Sequence, residues 1–262
     1  MLDISEGSRL MRADRRAAEQ MFGSTERDDT LFKELLPFSI DVDYGYDATM
    51  RSIEDSYQRL GMAEIDVVYV HDLGADHLGD AWEEQFEVAM TGCFRALASL
   101  RDQGVIKAWG LGTNVVATCI RALERTDLDV IEISGRYSLI DQSALDRLFP
   151  MSSARGVPVV LGGTYNSDLL AGGPHYDYRD AAAELAAKRD RIAAICERHG
   201  VDLRAVALQF CAAHPVVTSI IPGSKSPAKV RQNAEFMTIQ VPRDVWAELK
   251  SEAFIREDAP VP

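Results

Sequence analysis

No stretch of this 262-residue chain approaches the ~18 consecutive apolar residues of a membrane span. The opening MLDISEGSRLMRADRRAAEQMF lacks the continuous apolar core of a secretory signal. The expectation is a cytoplasmic protein without a membrane partner. Basic residues are few: 28 Lys and Arg stand against 41 Asp and Glu, a formal charge of -13. A surface that acidic repels nucleic-acid phosphates and anionic lipid headgroups, which leaves neutral small molecules, or anions held locally at a helix N-terminus, as ligands. Cysteine is equally sparse. Cys93, Cys119, Cys196 and Cys211 lie far apart, form no CxxC pair and fall on apolar positions of helical patterns, so they read as buried thiols. His71, His77, His175, His199 and His214 show no paired ligand spacing, which argues against a metal. GxGxxG, GxxxxGK[ST] and HExxH are all absent, leaving a dinucleotide fingerprint of the Rossmann type, a P-loop and a zincin unsupported.

What is present is alternation. With 47% hydrophobic residues the chain is long enough for one sizeable core, and residues 1–262 are read as a single α/β domain. From residue 47 onward helical and strand patterns take turns. Asp47 is placed as the cap of a helix carrying Met50, Ile53, Tyr57 and Leu60 on one face, with Gly61 as its stop. Residues 65–71 form a strand apolar enough to be buried on both faces. The stripe Phe86, Ala89, Met90, Cys93, Phe94, Leu97 and Leu100 predicts one amphipathic helix over 82–100, its N-terminal end rich in glutamate. Strands follow at 105–111, 130–133, 157–161 and 216–221, and helices at 115–125, 143–154, 181–198, 203–214 and 227–236. Strands separated by helices imply a parallel sheet with right-handed crossovers.

Five strands are clear, whereas a closed (β/α)8 barrel of about 250 residues needs eight. Residues 1–27 read as charged and helix-prone at 15–21, and only 35–42 passes for a further short strand, interrupted by Pro37. The sheet is therefore open, or the barrel is incomplete.

In parallel α/β folds the residues that close each strand face the site. Those residues are His71-Asp72, Gly112-Thr113-Asn114, Arg136-Tyr137, Gly162-Gly163 and Pro222-Gly223-Ser224-Lys225, expected on one rim. His71 is either a hydrogen-bond donor and proton shuttle for a carbonyl or a structural histidine. Thr113-Asn114 either grips an amide group or forms a plain turn. Ser226 and Pro227 open a helix whose free N–H groups and nearby lysine suit a phosphate, although ordinary capping explains them as well. Asn166-Ser167 with Gly172-Gly173 is a binding loop or a connector.

Several stretches together resemble the aldo-keto reductase family. YGYDATMRSIEDSYQRLGMAEIDVVYVHD looks like the helix and fourth strand that end in the family's catalytic histidine. GVIKAWGLGTN resembles the fifth strand, and SIIPGSKSPAKVRQN the eighth-strand motif I-P-G followed at a distance by Asn. The match runs from about 36 to 245 in family order and leaves 1–35 poorly matched. HDLG, SGRYSLIDQ and LGGTYNSDLLAGG are similar to the branch containing L-fucose (D-threo-aldose) and pyridoxal dehydrogenases.

The resemblance implies a (β/α)8 barrel lacking its first two or three βα units. It also implies no metal, and hydride transfer between NAD or NADP and the carbonyl or lactol carbon of a sugar or small aldehyde. A tyrosine, lysine and aspartate from the first three strands complete the family's catalytic set, and of that set only the histidine is present here, as His71. Tyr44 and Tyr46 align after the third strand, Lys33 is the only lysine before residue 107, and the third-strand echo SEGSRLMR has no lysine. For the cofactor, the resemblance assigns Thr113 and Asn114 to the nicotinamide amide, with Ser134 beside them where many members have glutamine. Gly162 stands where many stack a tyrosine. Ser224, Lys229, Gln232 and Asn233 match the positions that grip the adenosine phosphate and adenine, Lys229 where NADP-preferring members carry arginine. Two readings follow: an enzyme whose start lies upstream, or a non-catalytic binder or scaffold made of the later barrel units; in either, the chain as written is expected to self-associate through an exposed barrel edge.

Overall fold

The computed structural model describes residues 2–3 and 42–262, which form two compact units, Met1–Gly112 and Thr113–Pro262. The helix-prone segment 15–21, the echo at 5–12, Lys33 and nearly all of the candidate strand 35–42 lie outside the described residues.

In the first unit a two-residue strand β1 (Leu2–Asp3) pairs parallel with β2 (Val67–His71), and β2 pairs parallel with β3 (Ala108–Thr113) in the register Val67↔Ala108 to His71↔Gly112. The N-terminus thus does begin with a strand, contrary to the sequence reading. Two residues are too few to show a period of two, and only their partner defines them as a strand. Val68 and Val70 are fully buried and Tyr69 nearly so, as a strand covered on both faces requires. Helix α1 (Tyr46–Leu60) starts at Gly45 rather than Asp47 and stops at the left-handed Gly61. Asp43 supplies the carboxylate that accepts the Gly45 N–H, 2.8 Å away, and Asp47 lies in the first turn, where its charge meets the helix dipole.

The helix expected over 82–100 is two. A short helix α2 (Ala75–Leu78) and a 3-10 turn lead into α3 (Trp82–Thr91), and α4 (Cys93–Asp102) follows after a break at Gly92. The apolar stripe is continuous through the break, so periodicity could not show it. The cause is a carbonyl from another segment: Tyr44 O accepts the Cys93 N–H at 2.8 Å and displaces the intrahelical bond. A Cβ at residue 92 would run into that oxygen and stand 2.9 Å from Gly45 Cα, so only glycine fits. Phe86, Phe94 and Trp109 pack edge-on and tilted behind it, with ring centroids 5.7 and 5.2 Å apart. β3 starts later than expected because Val105 N–H still closes the preceding helix onto Leu100 O, 2.9 Å away.

In the second unit α5 (Val116–Arg125) leads to β4 (Val130–Ser134). A 3-10 turn and α6 (Leu148–Arg155) lead to β5 (Val159–Gly162). A small antiparallel hairpin of β6 (His175–Tyr176) and β7 (Arg179–Asp180), unread in the sequence, precedes α7 (Ala183–Arg198), α8 (Leu203–Ala212) and β8 (Val217–Ile220). Helices α9 (Pro227–Phe236) and α10 (Arg243–Ser251) follow. β5 lies between β4 and β8, parallel to both, with Ser134↔Gly162 and Leu161↔Ile220 in register. Tyr137 is not displayed at a rim: it is buried, stacked on Phe210 at 4.8 Å and edge-on to Phe149 at 4.9 Å. All four cysteines are buried free thiols, as the sequence suggested. Burial raises each pKa, that of Cys196 and of Cys211 to about 12.

Candidate functional site

In the first unit β2 ends in His71, whose carbonyl accepts the Tyr44 hydroxyl at 3.0 Å. That bond ties the buried Tyr44 to the strand end as a brace. Asp72 turns sharply after the strand, at φ 52°, and its N–H is anchored on Gly112 O, 3.0 Å away. The turn brings its carboxylate 3.5 Å from His71 Nδ1 and 3.8 Å from Nδ1 of His77 on α2. One carboxylate thus stands within ion-pair distance of two imidazoles. His77 as a second imidazole on the same carboxylate went unnoticed in the sequence. Its spacing of six from His71 matches no ligand or helical pattern, and the shared carboxylate depends on the turn at Asp72.

In the second unit the predicted residues fall into two groups. Asn114 and Ser134 line one narrow cleft together with Gly135, Gly163, Asn166, Ser167, Asp177 and Tyr178. Thr113 is buried, and its hydroxyl accepts the Val115 N–H at 3.1 Å, a turn bond at the entry to α5. The Asn114 carbonyl is fixed by Arg136 Nε at 2.7 Å. The same guanidinium donates to Asp141 Oδ2 (3.3 Å), the Tyr176 hydroxyl (3.3 Å) and Asp177 Oδ2 (2.8 Å), so the hairpin is strapped to the end of β4. Burial alone would lower the Arg136 pKa, but Asp177 and Asp141 outweigh it and the pKa rises. Burial, reinforced by the same two carboxylates, pushes Tyr176 up to about 12.

The loop after β5 is knitted to itself. Asn166, buried and left-handed, donates from Nδ2 to Gly135 O (3.0 Å) and accepts the Ser138 hydroxyl on Oδ1 (2.6 Å). Asp168 accepts both the backbone N–H and Nδ1 of His175, each at 2.8 Å. Asn166 is thereby a structural brace of the loop. Gly162 is demanded by its surroundings: a Cβ there would strike the Glu132 carboxylate and lie 2.7 Å from Ser134 Oγ. No aromatic side chain can stand at this position while Glu132 keeps its place.

The second group gathers around α9. Ser226 caps the helix by accepting the Lys229 N–H at 3.3 Å, and Pro227 occupies its first turn, as read from the sequence. The Lys229 side chain is exposed. Asn233 is buried, accepting the Tyr165 hydroxyl on Oδ1 at 2.9 Å and donating from Nδ2 to Ser224 Oγ at 3.0 Å. Gln232 Oε1 accepts from Arg204, 3.2 Å away. Arg204 is itself held by two bonds to Asp202, at 2.6 and 3.0 Å, and lies over the Phe236 ring at 4.7 Å. The ion pair raises the Arg204 pKa and lowers that of Asp202. Ser224, Gln232 and Asn233 are thus brought together, with Lys229 on the same helix. Tyr165 and Arg204, which hold them from behind, carried no signal in the sequence, because each bond joins residues 28 to 68 positions apart.

Comparison with known proteins bears on the family and the fold. The family model described as "Aldo/keto reductase family" matches residues 10–253, wider at both ends than the motif-bearing stretch. Pyridoxal 4-dehydrogenase of Microbacterium luteolum is 43% identical over 219 residues, covering 81% of this chain and 64% of that protein. D-threo-aldose 1-dehydrogenase of a Pseudomonas species is 36% identical over 203 residues, covering 76% and 59%. The chain therefore spans somewhat under two thirds of the length of these relatives. Among solved structures, the holo form of an aldo-keto reductase from Bacillus halodurans superposes with a TM-score of 0.64 at 20% identity, covering 87% of this chain and 70% of that one. A glycerol dehydrogenase from Gluconobacter oxydans gives 0.62 at 16%, covering 86% and 68%. The fold is of the (β/α)8-barrel type, and the chain belongs to the aldo/keto reductase family.

Proposed function

We propose that this chain is part of an oxidoreductase that transfers a hydride between NAD or NADP and the carbonyl or lactol carbon of an aldose or small aldehyde. The observation that carries the reading is the α9 group. A capped helix start, two exposed lysines (Lys225 and Lys229) and two amide side chains held from behind form a seat for an adenosine phosphate. It is a local basic patch on a chain of charge -13, which an anionic dinucleotide needs.

The residues fit the cofactor at this end. Ser224, Gln232 and Asn233 hold the adenosine, and Lys229 and the helix start hold phosphate. Asn114 and Ser134 border one narrow cleft at the strand ends, where the family resemblance assigns the nicotinamide amide, and Thr113 fixes the turn that carries Asn114. Gly162 leaves the ring without an aromatic partner at that strand end. When bound, the nicotinamide supplies the hydride donor or acceptor. His71, at the end of β2 with the Asp72 carboxylate beside it, hydrogen-bonds the substrate oxygen. The pyridoxal and D-threo-aldose dehydrogenases named above support a small aldehyde or aldose as substrate.

The test is reduction of NAD or NADP with a panel of aldoses and aldehydes by a longer product that carries this chain, alongside His71→Ala in that product. Turnover that falls at least tenfold in the variant is expected, and unchanged turnover removes His71 from the chemistry. Nucleotide binding without turnover by the longer product would favour the non-catalytic binder instead, and hydride transfer by the 262-residue chain itself would exclude it. That reading draws on Tyr44, whose hydroxyl is committed to a backbone carbonyl.

A further inference from the structure

An asparagine amide reads a ligand only if its two ends are told apart. Oxygen and nitrogen are nearly the same size, and a half-turn about the last bond exchanges acceptor and donor. Asn233 is buried, so each end must also be satisfied. The Tyr165 hydroxyl donates to Oδ1 at 2.9 Å, and Nδ2 donates to Ser224 Oγ at 3.0 Å. Tyr165 is itself buried, which raises its pKa and keeps the phenol protonated, and among the described residues its hydrogen has Asn233 Oδ1 as acceptor, so a flipped amide would leave that hydrogen unpaired. With these two bonds made, one lone pair on Oδ1 and one hydrogen on Nδ2 remain, in a fixed order. That pair complements the N6 amino donor and N7 acceptor of adenine, whereas hypoxanthine and guanine present an acceptor in place of the amino group.

We propose that Tyr165 is a positioning residue that sets the Asn233 amide in the orientation that selects adenine over 6-oxo purines. The inference rests on the reading of α9 as the adenosine seat, and the experiment separates the two. Affinities of NAD and of nicotinamide hypoxanthine dinucleotide are measured by calorimetry for the 262-residue chain and for Tyr165→Phe, Ser224→Ala and Asn233→Ala. The parent should prefer the adenine dinucleotide by about tenfold. Tyr165→Phe keeps the ring and its packing, and should weaken NAD by about fivefold while bringing the preference close to twofold; Ser224→Ala should move both in the same direction. A general disturbance of the loop would weaken both dinucleotides equally and leave the ratio unchanged, which overturns the proposal. If Asn233→Ala weakens NAD but Tyr165→Phe changes neither affinity nor ratio, Tyr165 has no positioning role and the adenosine seat stands. If Asn233→Ala leaves NAD binding intact, or no dinucleotide binds the parent, the seat itself is wrong and the inference falls with it.

Discussion

The two units hold their strand ends in different ways. In Met1–Gly112 one residue works both ways: the Tyr44 hydroxyl reaches the His71 carbonyl at the end of β2, and its backbone carbonyl takes the Cys93 N–H at the break at Gly92, which is a backbone lock. Apolar rings fill the space behind. In Thr113–Pro262 the strand ends are fixed by side chains, through the Arg136 knot, the Asn166 brace and the Tyr165–Asn233–Ser224 chain. A backbone lock tolerates almost no substitution at its contact, while a side-chain network can be taken apart piece by piece. The second arrangement suits a surface that must offer specific donors and acceptors to a ligand.

The comparison breaks most sharply at Gly92→Ala. The added methyl meets backbone atoms on both sides, so neither can yield alone, and a loss of about 3 kcal/mol or more is expected. Urea unfolding should show it as a large fall in midpoint. A midpoint within error of the parent would mean that the Tyr44 contact is not a lock. Next comes Arg136→Met, which takes the shared guanidinium from Asp141 and Asp177 at a partly exposed site. Because the carboxylates retain access to water, about 2 kcal/mol is expected rather than the full cost of a buried orphan charge. The same variant should speed proteolysis at the β6–β7 hairpin, and an unaltered cleavage rate would show that the knot does not hold it.

Gly162→Ala sharpens the contrast with Gly92. Its methyl meets the Glu132 side chain instead of backbone, so the cost should be smaller, about 1–2 kcal/mol, and Glu132→Ala should relieve it. A double variant no better than the sum of the singles would contradict this. The smallest effect is pH-linked. Burial lowers the His214 pKa below its ordinary value, and its Nδ1 accepts the Val216 N–H at 3.2 Å. Between the lowered pKa and 6.5 the unfolded chain binds the proton and the folded chain does not, so stability rises with pH through that window and falls as pH drops through it. His214→Asn should flatten this slope by less than about 1 kcal/mol between pH 7 and 5. An equal slope in both proteins would show that His214 does not carry it.

Much of the fold was legible because its signals are local. Ser226-Pro227 marked α9 at its observed start, Gly61 ended α1, and the apolar run before His71 gave a strand buried on both faces. Helix α10 also carried a usable signal, with Val245, Trp246 and Leu249 buried after Pro242. What escaped were features created by distant chain: the break at Gly92, made by a carbonyl nearly fifty residues away, and the hairpin held by Arg136. The site divides in the same way. His71, Asn114, Ser134, Ser224 and Asn233 could be named as candidates because they close strands or match a motif. Tyr165, Arg204 and His77 act through partners that only folding supplies.

The measurement closest to the central claim is calorimetric titration of NAD and NADP into the 262-residue chain and into Asn233→Ala, with unfolding midpoints recorded for both. The account predicts saturable binding by the parent, weakened at least tenfold in a variant that remains folded. Absence of binding by the folded parent, or equal affinity in the two proteins, would contradict it.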